Sequence, residues 1–252
     1  MNTLAAKSAV VLLCGFIARC ATGQVYSINV VGYYNTRIFA GDNLIANQLN
    51  NNGTNTLNDI LNPAYGPAIP NGATFTGWNS AANAFWPVST YNAATGWSIN
   101  YNFNSFAGGQ GAMLNSPSSW TNTFVGTVVS YTNLTPELGG PVWHPNYADG
   151  LYLLACPEPL FGPMDSMFAN VVGRAPADGE WVKLLNAATQ AYTTTTFHSA
   201  TGVWDNGDPS LVVGQAAWFN LGGSTTVPEP FPLALLGSGA VLLLLGRKAQ
   251  KG

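Results

Sequence analysis

The chain has 252 residues, of which 8% are charged, 47% are apolar and 26 are Asn, and its formal net charge is −3. That length accommodates one large domain or two small ones. Eight Lys and Arg in all exclude a nucleic-acid binder, which needs a clustered basic surface to displace counterions, and so little charge excludes a charge-rich disordered chain or coiled coil.

Residues 1–23 have the pattern of a secretory signal peptide. Lys7 supplies the early positive charge, Ala9 to Ala18 (AVVLLCGFIA) the apolar run, and Ala21-Thr22-Gly23 a small-x-small cleavage site that would leave Gln24 as the mature start, with Ala18 to Ala21, around Cys20, as the alternative. The expected first partners are the Sec translocon and signal peptidase.

From Gln24 onward the pattern is mostly strand. Residues 25–31, 123–131 and 190–197 are rich in β-branched and aromatic side chains. Turn signals separate such runs at Asn52-Gly53, Asn71-Gly72, Ala94-Thr95-Gly96, Asp178-Gly179 and Asp205-Asn206-Gly207. Short helices are predicted over 56–61 and 163–170.

The same chain is internally repeated. Asn79-Ser-Ala-Ala-Asn-Ala-Phe85 matches Asn186-Ala-Ala-Thr-Gln-Ala-Tyr192, Ala94-Thr-Gly96 matches Ala200-Thr-Gly202, and Gly109-Gln110 matches Gly214-Gln215. Upstream, Leu57 to Leu61 matches Met164 to Phe168, and Leu44-Ile-Ala pairs with Tyr152-Leu-Leu. Matches in one order at near-constant spacing indicate a duplication. The expectation is an all-β chain of two tandem homologous modules, sandwich-like or barrel-like, over residues 24–125 and 126–222. The repeated pattern is similar to β-rich modules on exported proteins of several bacterial phyla, which implies a secreted module and no particular chemistry.

The last segment, 223–252, is the most specific. Thr225-Thr226-Val227-Pro228-Glu229-Pro230 leads into the apolar run 231–246 (FPLALLGSGAVLLLLG), followed by Arg247, Lys248 and Lys251. Sixteen helical residues span about 24 Å, short of a hydrocarbon core of about 30 Å, but long enough to insert if the flanks snorkel and the bilayer thins. The basic flank would be held on the cytoplasmic side. Pro228, Glu229 and Pro230, the membrane helix and the Arg247-Lys248 cluster resemble the PEP-CTERM sorting signal of Gram-negative bacteria. The resemblance implies recognition by an exosortase-type sorting enzyme, transient anchoring in the inner membrane, and release or attachment at the surface or in an extracellular matrix.

No catalytic constellation is expected between these ends, and no cofactor or metal. Cys14 and Cys20 fall in the signal peptide, so Cys156 is alone in the mature chain and an intrachain disulfide is excluded. Cys156 follows an apolar run and reads as a core thiol rather than a nucleophile beside His144 or His198. Asp149, Glu158, Asp165, Asp178, Glu180, Asp205 and Asp208 mostly sit beside Gly or Pro, as turn residues do, and Asp205-Asn-Gly-Asp208 reads as a hairpin turn before a Ca²⁺ loop. The eight Trp raise an alternative role in binding extracellular polysaccharide, with Trp78, Trp97, Trp181 and Trp204, all near turns, as the expected glycan contacts. Between Gln24 and Thr226 only Arg37, Arg174 and Lys183 oppose ten acidic residues, a formal charge of −7.

Overall fold

The structure is a computed structural model and describes residues 31–51, 54–61, 68–107, 109–129 and 147–222. The signal peptide, His144, the turn at Asn52-Gly53 and the whole sorting segment, with Pro228, Glu229, Pro230, Arg247, Lys248 and Lys251, lie outside the described residues. No helix among the described residues is long and apolar enough to cross a membrane.

The chain is all-β, and among the described residues every strand pairing is antiparallel. Its first half comprises β1 (Val31–Ile38), β2 (Gly41–Ile45), β3 (Leu49–Asn50), α1 (Leu57–Ile60), β4 (Thr74–Asn79), β5 (Ala84–Phe85), β6 (Ser89–Asn92), β7 (Gly96–Trp97), β8 (Ala112–Ser116) and β9 (Trp120–Val128). The second comprises β10 (Gly150–Leu154), β11 (Gly162–Pro163), α2 (Met164–Val172), β12 (Trp181–Asn186), β13 (Ala191–His198), β14 (Val203–Trp204), β15 (Ser210–Leu211) and β16 (Ala217–Leu221). Both short helices fall where turn residues precede an apolar stripe. Of α2, the buried side are Met164, Met167, Phe168, Val171 and Val172, spaced three and four apart.

Two sheets have the same strand order. One runs β2-β8-β4-β6-β7, the other β10-β16-β12-β13-β14. In each, the first strand of the repeat pairs with the last, and the strand after the helix lies beside that last strand. A third sheet, β1-β9-β3, is confined to the first half. In it β9 buries Trp120, Asn122 and Phe124 and half-exposes the residues between them, the period-2 pattern of a strand with one covered face. Strand β9 runs through residue 125, the predicted module boundary, and pairs with β1 along its length; the first-half sheet therefore ends at Val128.

The structure also corrects the register of the repeat. Leu44 pairs with Met113 and Ile45 with Ala112, while Leu153 pairs with Trp218 and Leu154 with Ala217. The counterpart of Leu44-Ile-Ala is therefore Leu153-Leu-Ala, one residue beyond the Tyr152-Leu-Leu match. A shift of one residue exchanges the two faces of a strand, and the observed burial fits only the corrected pairing. Leu44, Ala46, Leu153 and Ala155 belong to one core, between the two sheets. Ile45 faces the first-half core with Phe75, Phe103 and Phe124, and Leu154 faces the second-half core with Phe168, Val182 and Phe219.

The shared core locks the halves together through a pseudo-two-fold set of backbone bonds. Ala46 N–H donates to Gly214 O at 2.9 Å, and its counterpart Ala155 N–H to Gly109 O at 2.6 Å. Ala216 N–H donates to Leu44 O at 3.1 Å, and its counterpart Gly111 N–H to Leu153 O at 2.9 Å. The resulting bridges, Ile45 with Gln215 and Leu154 with Gln110, are equivalents of one another. Gly109 and Gly214 adopt positive φ, +55° and +78°, a backbone shape that favours glycine and turns each carbonyl toward the other half. Buried Gln48 adds a side-chain stitch: its Nε2 donates to Cys156 O and Glu158 O, and its Oε1 accepts from Gly214 N–H at 2.7 Å.

Candidate functional site

Of the four Trp expected to contact glycan, three are buried. Trp78 is 7% exposed, Trp97 5% and Trp204 4%; Trp181 is half-buried against the core between the sheets. Trp78 packs edge-on to Phe85 and Trp218 with ring centroids 5.0 and 5.1 Å apart, and its Nε1–H donates to Leu151 O at 2.9 Å. Trp97 lies among Phe75 and Tyr91. Trp204 lies between Phe168 and Phe197 and donates Nε1–H to Asp165 Oδ1 at 2.7 Å. Their proximity to turns does not expose them, because each begins or ends a strand whose inward face they fill. None of the three presents a ring face to solvent.

Four acidic residues of the second half, Asp178, Glu180, Asp205 and Asp208, serve the backbone. Asp205 Oδ1 accepts Thr196 N–H at 2.8 Å, Asn206 Nδ2–H donates to Thr194 O, and Asp208 Oδ1 accepts Asp165 N–H at the start of α2. The Asp205–Asp208 stretch is a turn but not the expected hairpin, since β14 before it pairs with β13 and β15 after it pairs with β11; its Asp208 carboxylate holds the first turn of α2. Asp178 Oδ1 accepts Ser199 N–H at 2.8 Å, and that bond holds its carboxyl below the usual carboxylate range. Glu180, fully buried, forms a two-pronged pair with Arg174, Oε1 to Nη2 at 2.5 Å and Oε2 to Nη1 at 2.8 Å. It also accepts Ala177 N–H and Gly222 N–H. Burial pushes its carboxyl up, but these donors outweigh that and hold it below the ordinary value. Among the described residues no three His, Cys, Asp or Glu gather to hold a metal ion. Cys156 is buried in the second-half core, and burial pushes its thiol up to about 11. Such a thiol carries almost no thiolate near neutrality.

Two clefts open at the junction, and they are counterparts. The larger, about 580 Å³, is lined in part by Leu44, Ile45, Leu185, Ala187 and Gln215, together with Arg37. The repeat equivalents of the first five are Leu153, Leu154, Trp78, Ser80 and Gln110, and all of these line the smaller cleft of about 380 Å³. Duplication has therefore produced one recess twice, with different chemistry. The smaller recess adds Asn102, Asn104, Tyr147 and Tyr152, and among the described residues no charged side chain lines it. The rings of Tyr147 and Tyr152 meet edge to face at 5.0 Å. Burial raises the Tyr147 phenol well above its usual value, and burial followed by nearby Asp149 raises that of Tyr152, so both stay neutral.

These polar cleft residues were not singled out from sequence. The signal available was the run Asn100-Tyr-Asn-Phe-Asn104, where Phe103, and in part Tyr101, pack on the first-half core while Asn102 and Asn104 alternate to the other side. Its Tyr partners come from the other half of the chain, and only the packing of one sheet on the other brings them together.

Comparison with protein-family models, curated proteins and solved structures finds no match to this chain.

Proposed function

We propose that the protein is exported and sorted by an exosortase-type enzyme, with a structural or adhesive role at the cell surface or in an extracellular matrix and no catalytic activity. One observation carries this reading: a signal-peptide pattern at residues 1–23 together with Pro228-Glu229-Pro230, the apolar run 231–246 and the basic flank Arg247, Lys248 and Lys251. Between these ends stand two tandem homologous modules, each a β-sandwich-like unit. The repeated sequence and the common strand order of the two large sheets support that division.

The geometry of the described residues favours a load-carrying body over a reactive one. Glu180, Asp178, Asp205 and Asp208 each accept backbone N–H groups, and the buried thiol of Cys156 has a raised pKa. The mildly acidic, Asn-rich surface suits an environment outside the cell. The direct genetic test replaces Pro228, Glu229 and Pro230 by Ala in a host that carries an exosortase. The expected result is an unprocessed protein retained in the inner membrane. Normal processing and surface display of that variant would overturn the sorting reading.

A further inference from the structure

The smaller junction cleft holds three carboxamides that the fold does not use. Several other buried or half-buried amides are spent on structure. Asn43 donates to Phe39 O, Gly41 O and Leu114 O. Asn47 bonds Asn55 and Phe103 O, Gln48 joins the halves, and Gln215 bridges Val212 N–H and Leu185 O. The side-chain amides of exposed Asn102 and of half-buried Asn104 and Gln110 bond no other group among the described residues, although all three line the same recess. The Oδ1 of Asn104 is moreover buried without any hydrogen-bond partner. A buried acceptor left unpaired is costly, so its retention beside two further idle amides calls for a ligand.

The contrast with the counterpart cleft sharpens this. There Gln215, the equivalent of Gln110, is fully engaged, and the equivalents of Trp78 and Ser80 are Leu185 and Ala187. At these two positions the larger cleft is aliphatic where the smaller one carries an indole and a hydroxyl, although Asn35, Thr36, Arg37 and Thr193 also line the larger.

We infer that the recess lined by Asn102, Asn104, Gln110, Tyr147 and Tyr152 is a binding site for a neutral, hydroxyl-rich saccharide unit. Each carboxamide offers both donors and an acceptor, which matches vicinal hydroxyls that donate and accept at once. The tyrosine pair and the edge of Trp78 offer apolar surface to the C–H face of a sugar ring. A volume of about 380 Å³ lies at the small end of ligand sites, roughly 300–1,000 Å³, enough for a short stretch of a glycan chain. Among the described residues no cation lines the recess to attract a carboxylate, and the formal charge of −7 between Gln24 and Thr226 repels acidic polymers. The inference uses only the described residues and stands apart from the sorting reading, which it would supply with an adhesive ligand.

The test is titration of the full chain, purified in a detergent without a sugar headgroup, with cellotetraose, maltotetraose, a tetramer of β-1,4-linked N-acetylglucosamine, a mannotetraose and tetragalacturonate. At least one neutral tetramer is expected to bind with a Kd of about 10 mM or tighter. Asn102→Ala and Asn104→Leu should each weaken that binding by about tenfold without lowering the melting midpoint, and Arg37→Gln in the counterpart cleft should leave it unchanged. No binding of any neutral tetramer, binding of tetragalacturonate alone, or binding that survives both Asn variants would overturn the assignment. None of these outcomes alters the processing of the chain ends, so the two readings fail separately.

Discussion

Gly111 and Ala216 occupy equivalent positions in the two repeats and meet across the junction, where a Cβ on Gly111 would overlap the Cβ of Ala216. Only one of the two positions can carry a side chain, and the pseudo-two-fold set of backbone bonds runs past them on either side. Gly111→Ala is therefore expected to force the sheets apart and cost about 1–3 kcal/mol, the usual range for overpacking. Adding Ala216→Gly should recover most of that loss, since it exchanges the glycine between equivalent positions. Chemical denaturation of the single and double variants measures the coupling; additive losses would show that the two positions do not share one space.

Glu180 ties Arg174, the turn at Ala177 and the backbone of Gly222 to one buried carboxylate. Glu180→Gln should lower stability by about 1–3 kcal/mol, because the buried amide loses charge-assisted bonds and its NH2 cannot accept from the donors around it. The pH dependence follows from a carboxyl whose folded pKa is depressed. Its stabilisation is fully present above the ordinary value of 4.5 and is lost as the pH falls through the lower folded value. Melting curves below pH 5 should fall more steeply for the wild type than for Glu180→Gln.

Asn104 and Asn47 provide a matched pair. Asn104 Oδ1 is buried and unpaired, so Asn104→Leu should leave the unfolding free energy unchanged or raise it by about 1 kcal/mol. Asn47, 1% exposed, bonds Asn55 Oδ1 and Phe103 O, and Asn47→Leu should cost about 2 kcal/mol. Equal losses from both would show that Asn104 serves the fold.

Cys156 should resist modification while the chain is folded. Burial and a thiol pushed up to about 11 predict negligible alkylation by iodoacetamide at pH 8 over hours, and complete alkylation after denaturation. Rapid labelling of the native protein would contradict its place in the core.

The repeat, the short helices and the hairpin turns could be read from residue types alone. Asn79 to Phe85 against Asn186 to Tyr192, and Ala94-Thr-Gly96 against Ala200-Thr-Gly202, mark the same turns in both halves. The register of the Leu44-Ile-Ala strand could not. Both faces of that strand are covered, Ile45 by one core and Leu44 by another, so hydrophobicity runs without alternation and fixes no phase. The tryptophans misled for a related reason: turn residues surround Trp78, Trp97 and Trp204, but strand phase, not distance from the turn, decides which way the indole faces. The junction clefts were hidden because their walls come from segments far apart in sequence, such as Asn104 and Tyr152. Only the packing of one sheet on the other assembles them.

Both ends of the chain are proposed to be address labels removed on export. Mass spectrometry of the termini of the mature protein, isolated from the cell surface or the extracellular matrix of an exosortase-bearing host, tests it most directly. The account predicts an N-terminus at Gln24 and a C-terminus near Pro228-Glu229-Pro230, without residues 231–252. A mature protein that retains the segment from Phe231 to Gly252 would contradict it.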